Sequence, residues 1–115
     1  MSTTVLTNYK VIIMPNAETR TKIKPNLSLK EPPLYKIIYV NDDHTSMEFV
    51  IHTLVEYFHY NDDTAKTITL DIHEKGSAVV AVLPYELAEQ KGIEVTIDAR
   101  AHGYPLQIKV EQEPN

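Results

Sequence analysis

No cysteine occurs anywhere in the 115 residues, so disulfides, thiol nucleophiles and thiolate metal sites are excluded together. That absence fits a reducing compartment. Long apolar runs are missing as well, and none approaches the roughly 20 residues a membrane-spanning helix needs. Positive charge is scarce: Lys and Arg number 11 against 16 Asp and Glu, leaving a formal net charge of -5. Such a chain lacks the basic footprint that general binding to nucleic acid or an anionic membrane requires. Met1-Ser2-Thr3-Thr4-Val5-Leu6 has neither the basic flank nor the apolar core of a secretory signal. The expectation is therefore a cytoplasmic protein. The hydroxyl-rich stretch around Arg20, Lys22 and Lys24 keeps the plastid stroma as a second compartment. Metal-ligand patterns are also absent. Asn41-Asp42-Asp43 supplies too few oxygens for Ca²⁺, and His44, His52, His59, His73 and His102 form no i,i+4 pair for zinc. No metal and no other cofactor is expected.

What is present is an ordinary apolar share of 43% in a chain long enough for one compact domain and an extension. Residues 15–33 are polar and punctuated by Pro15, Pro25, Pro32 and Pro33, which reads as a linker. Ahead of it lies one apolar island, Tyr9-Lys10-Val11-Ile12-Ile13-Met14, which echoes Tyr35-Lys36-Ile37-Ile38-Tyr39-Val40. The division expected is a flexible N-terminal extension over residues 1–32, a folded domain over 33–111 and a frayed tail over 112–115.

Within the domain, residues 34–40 are β-branched and aromatic and predict a first strand. Thr45-Ser46-Met47-Glu48 has the form of a capping box, with Thr45 as the cap. Met47, Val50, Ile51, Leu54, Val55 and Phe58 then recur with helical spacing. Asn61 predicts the N-cap of a second helix with inner residues Ala65, Ile68, Thr69 and Ile72, ended by Gly76. Val-rich Ser77–Leu83 predicts a second strand, and Pro84 opens a third helix that tolerates Gly92 at a cost of roughly 1 kcal/mol. After Gly103, Leu106, Ile108 and Val110 alternate with polar residues as a last strand. The order β-α-α-β-α-β predicts an α+β sandwich, a three-stranded antiparallel sheet packed against three helices.

Taken alone, Asn41-Asp42-Asp43 has two readings. These residue types favour turns through side-chain to backbone bonds. The same amide oxygen and carboxylates, held between a strand and a capped helix, can also accept hydrogen bonds from an ammonium group. His73 stands four residues after Thr69 and shares its helical face, which puts an imidazole at the rim of an apolar patch.

The run from Tyr35 through Asn41-Asp42-Asp43-His44-Thr45-Ser46-Met47-Glu48-Phe49-Val50 resembles the signature of the ClpS family, a strand followed by Asn-Asp-Asp-x-Thr-x-Met-Glu-Phe-Val. Similarity continues through Leu54, Ala65, His73, Glu86-Leu87-Ala88-Glu89 with Lys91, Ala99-Arg100 and Pro105-Leu106, over about residues 33–110. The resemblance implies an adaptor of the N-degron pathway, not an enzyme. Such adaptors bind substrates whose first residue is bulky and hydrophobic, and deliver them to a ClpA- or ClpC-type AAA+ unfoldase working with ClpP. It implies that Asn41, Asp43 and His73 hold the α-amino group with Asp42 beside them. Thr45, Met47, Val50, Ile72 and Leu106 would line the side-chain pocket. Glu86 and Lys91 would meet the N-terminal domain of the unfoldase. The implied partners are that domain and the substrate proteins, with the adaptor itself a monomer.

Three positions depart from the family pattern. Ser46 replaces a common Pro, and Thr69 stands where Met commonly gates the pocket against β-branched first residues. Tyr39 occupies an aliphatic position near the pocket floor, where its ring either shrinks the cavity or turns its hydroxyl to solvent. The choice of first residue is thereby left open. The competing reading is a ClpS-like interaction domain that modulates the unfoldase without binding N-degrons. A hydrolase built on Asp43 and His73 would need a nucleophile and an oxyanion site, and the chain has neither Cys nor a Gly-flanked Ser turn.

Overall fold

The computed structural model describes residues 32–114. The apolar island at residues 9–14 and the extension expected over residues 1–32 lie outside the described residues, apart from Pro32. The elements follow the expected order: β1 (Leu34–Val40), α1 (Met47–Phe58), α2 (Asp62–Lys75), β2 (Ser77–Pro84), α3 (Tyr85–Ala101) and β3 (Gln107–Gln112). The strands form one sheet in the order β2-β1-β3, both pairings antiparallel. β1 is thus the central strand, and its alternation buries Ile37 and Tyr39 completely. β3 runs through Gln112, and the Glu113 amide donates to the Leu34 carbonyl at 2.8 Å, so the start of the expected tail is hydrogen-bonded.

The β1–β2 ladder carries one irregularity. Ile37 faces Ala81 and Ile38 faces Val79, leaving Val80 without a partner. This is the geometry of a β-bulge, which bends the bulged strand and frees a backbone group. The Tyr60 hydroxyl donates to the Val80 carbonyl at 2.6 Å, satisfying the acceptor and tying the α1–α2 connection to the sheet.

Local chemistry sets the helix ends. The first helix is capped one residue later than its capping box suggests: Ser46 is the N-cap, and its hydroxyl accepts from the Phe49 amide at 3.1 Å. Thr45 is unavailable because its hydroxyl donates to Asp42 Oδ2 at 2.8 Å. Asn61 caps α2 as expected, accepting from the Thr64 amide at 2.8 Å. Gly76 ends α2 in the left-handed region at φ 89°, where a side chain is disfavoured. Pro84 closes β2 and stands at the N-cap of α3, so Tyr85 is the first helical residue.

All three helices pack on one core with the sheet. It comprises Ile37, Tyr39, Phe49, Val50, Leu54, Ala65, Ile72, Val80, Ala88, Val95, Ala99 and Leu106. α3 contributes only small or β-branched residues, and its buried side is Ala88, Gly92, Val95 and Ala99. A Cβ at Gly92 would meet Val110 Cγ2 at 3.4 Å and Ile108 Cγ2 at 3.7 Å, so the helix lies close against β3 there. Among the described residues, no helix is long and apolar enough to cross a membrane.

Candidate functional site

The loop between β1 and α1 is fixed at both ends. At its start the Asn41 amide donates to the Gly76 carbonyl at 2.9 Å, continuing the pairing of Val40 with Ser77. This bond brings the loop beside the last turn of α2, which carries His73. At its end, Ser46 caps α1.

Between these anchors, Asp42 organises the loop itself. Its Oδ1 accepts from the His44 and Thr45 amides, each at 2.7 Å, and its Oδ2 accepts from the Thr45 hydroxyl at 2.8 Å. Partial burial pushes the carboxyl upward. The bonds from Thr45 and His44, with the His44 charge, together outweigh burial and leave its pKa lowered. The carboxylate acts as a clamp on its own loop, which is the turn chemistry these residue types favour. Asp43 is exposed, Asn41 is half-buried, and His73 is exposed on α2.

The other residues expected at the site are enclosed to differing degrees. Met47, the first residue of α1, is 40% exposed, and Thr45 is half-buried. Val50, Thr69, Ile72 and Leu106 retain 6%, 4%, 3% and 1% exposure. Thr69 spends its hydroxyl on its own helix, donating to the Ala65 carbonyl at 2.8 Å, and is left with a methyl for its neighbours. Tyr39 is wholly buried. Its hydroxyl does not reach solvent, one of the two outcomes considered for it, but lies 2.7 Å from Thr53 Oγ1. Burial pushes its phenol pKa well upward, so the ring is neutral. Thr53 escaped notice in the sequence because it interrupts the apolar series on α1.

Glu86 and Lys91 are separate from this constellation, on α3. Five residues apart, they stand about 140° from one another around the axis. The outward face between them carries Leu87, 44% exposed, and Ile97, 64% exposed. Lys91 Nζ lies 3.9 Å from Glu94 Oε1. Adjoining that face at Ile97, an open groove of about 470 Å³ is bordered by Tyr85, Glu89, Gly92 and Ile93 against Ile108 and Val110.

A second polar cluster joins α1 to α3. The Tyr57 hydroxyl donates to Asp98 Oδ2 at 2.9 Å, and that bond is the main reason its pKa is pushed up to about 12. His52 Nε2 and His102 Nδ1 approach the same carboxylate at 3.8 and 3.1 Å. Among the described residues, no three His, Cys, Asp or Glu side chains are grouped so as to hold a metal ion.

Comparison with known proteins places this geometry in context. The family model of the ATP-dependent Clp protease adaptor protein ClpS matches residues 30–109. The ATP-dependent Clp protease adapter protein ClpS of Roseobacter denitrificans is 47% identical over 93 residues, 81% of this chain and 80% of that protein. Its counterpart in Ruegeria pomeroyi is 49% identical over 84 residues, 73% and 74% of the two chains. Among solved structures, Agrobacterium tumefaciens ClpS2 bound to L-phenylalaninamide superposes with a TM-score of 0.70 at 38% identity, covering 72% of this chain and 100% of that one.

Proposed function

The chain belongs to the ClpS family of Clp protease adaptors, and from that premise we propose that it captures proteins by a free α-amino group and a hydrophobic first side chain. It hands them to the N-terminal domain of a ClpA/ClpC-type unfoldase. The observation that carries this reading is the bond from Asn41 to Gly76, which sets the Asn41–Asp43 loop beside the turn bearing His73. Ile72, next to His73 in the chain, belongs to the same buried core as Val50 and Leu106.

The chemistry runs as follows. An α-ammonium group has three donors and one positive charge. The Asn41 amide oxygen, the Asp43 carboxylate and one nitrogen of a neutral His73 are three acceptors of the right kind. Asp42 is committed to its own loop and acts one step back, holding Asn41 and Asp43 in place. An acetylated or internal residue lacks the ammonium donors, so the rim selects a free terminus. The first side chain enters between Met47, Thr69 and Leu106, where burial stabilises it by about 25 cal/mol per Å². L-phenylalaninamide, the molecule bound by the Agrobacterium relative, has these two features, a free α-amine and a benzyl group. It supports the reading by analogy.

No bond is made or broken in this function. The protein contributes recognition and delivery, and the unfoldase and protease supply the chemistry. Glu86 and Lys91, on the outward side of α3, are the contacts proposed for the unfoldase. The test is a panel of otherwise identical peptides with Leu, Phe, Ile or Val first, each free and N-acetylated. Free peptides should bind and acetylated ones should not. Equal binding of the two forms would instead favour an adaptor that modulates the unfoldase without reading N-termini. The short Thr69 side chain predicts that Ile and Val are accepted as well as Leu.

A further inference from the structure

The buried pair of Tyr39 and Thr53 carries an inference that rests on the first-residue reading and narrows its substrate class. Thr53 has one hydroxyl proton, and it lies on the Val50 carbonyl at 2.8 Å. In the 2.7 Å contact between Tyr39 and Thr53, the phenol must therefore be the donor. A continuous chain results: the Tyr39 hydroxyl donates to Thr53 Oγ1, which donates to the backbone of Val50. Tyr39 and Thr53 are both fully buried, and the Tyr39 ring stands edge-on to Phe58 at 6.3 Å.

We propose that Tyr39, held by Thr53, closes the base of the first-residue pocket and makes the protein select short hydrophobic first residues, Leu, Ile and Val, over Trp. Tyr39 shares one buried cluster with Val50, Ile72 and Leu106, so its ring fills volume that a deeper pocket would offer to the ligand. An aliphatic residue at this position could change rotamer to admit a longer side chain. The phenol cannot follow without leaving its hydroxyl unpaired in the core, a cost that opposes entry of a longer side chain. The base is therefore rigid as well as raised. An indole reaches deeper than an isobutyl group and meets the ring. Tyr39 and Thr53 are positioning residues, one setting depth and the other fixing the first.

The experiment uses the full chain and labelled peptides beginning with Leu, Ile, Val or Trp, free and acetylated, read by fluorescence anisotropy. For the wild type, free Leu, Ile and Val peptides should each bind at least about tenfold more tightly than the free Trp peptide, the scale on which apolar pockets discriminate. Tyr39→Leu should shift the Trp-to-Leu affinity ratio about tenfold toward Trp. A general loss of stability weakens both peptides together and leaves that ratio alone. Tyr39→Phe keeps the ring and removes the tether, and should move the ratio the same way by about two- to threefold. It decides the matter if the Leu variant does not fold. Wild-type affinity for Trp equal to that for Leu, or an unchanged ratio in the folded variants, overturns the depth assignment while free-amine selectivity stands. Loss of that selectivity in the wild type overturns the underlying reading and the depth assignment with it.

Discussion

Around the loop after β1 the exposed groups are mostly polar and most apolar ones are buried; along α3 the large apolar residues are the exposed ones. At the loop, Asp43 and His73 face solvent, while Val50, Ile72 and Leu106 are enclosed. On α3 the enclosed residues are Ala88, Gly92, Val95 and Ala99, and the bulky Leu87, Ile93 and Ile97 are 44%, 53% and 64% exposed. The difference has a packing origin. Small residues let α3 lie close to the sheet, so its large ones must point away. Exposed polar groups with buried apolar ones suit the proposed capture of one charged terminus with one side chain. A convex apolar helix face suits another folded surface.

The contrast can be broken most strongly by removing Asp43. Asp43→Ala should weaken free-amine peptides by about 10- to 100-fold, since charge-assisted bonds contribute on the order of 1.5–3 kcal/mol. It should leave binding to the unfoldase N-terminal domain unchanged. Calorimetry with both ligands reads the two effects, and a loss of both would show that the regions are not independent. The converse pair, Glu86→Ala with Lys91→Ala, should reduce unfoldase binding by about tenfold and spare the peptide.

Smaller changes sharpen the same comparison. Ser46→Ala removes the cap that ends the loop and should cost about 1 kcal/mol in thermal unfolding. Asp42 adds a pH dependence at the loop. Its carboxyl titrates below the ordinary aspartate value, so the folded state holds the deprotonated form more tightly than the unfolded chain does. That stabilisation is fully present above about pH 4 and is lost as pH falls through the lowered folded-state pKa. Asp42→Asn should blunt the acid limb of the stability curve, and a carboxyl titration by NMR gives the shift directly. Gly92→Ala should be the mildest change and the favourable one. The methyl finds ordinary contact distances to Val110 and Ile108, and helix propensity adds up to about 1 kcal/mol.

Which features the sequence discloses follows from how local each one is. Periodicity gave α1, α2 and β3, because the 3.6-residue repeat and side-chain alternation are written in consecutive residues, and β-branched and aromatic composition gave β1. Asn61 and Gly76 act within their own helix and are equally legible. The first cap was misread because two hydroxyl residues adjoin. Only the Asp42 carboxylate, reaching forward to occupy Thr45, leaves Ser46 as the cap. The distinct surroundings of Asp42 and Asp43 were illegible for the same reason: of two identical adjacent side chains, Asp42 bonds forward to His44 and Thr45 while Asp43 is exposed. The bond between Tyr39 and Thr53 spans 14 residues and two elements, so no local pattern announces it.

The Asn41 amide, held by the Gly76 carbonyl, also serves as a clock. Its hydrogen is protected from solvent only while the end of α2 and the start of the loop stay joined. Its exchange with deuterium therefore reports how often the end of α2 and the start of the loop come apart. In free protein that frequency measures how far the proposed recognition geometry is preformed. With peptide bound, any additional slowing at this one amide would report the free energy that the ligand spends on holding the loop to α2.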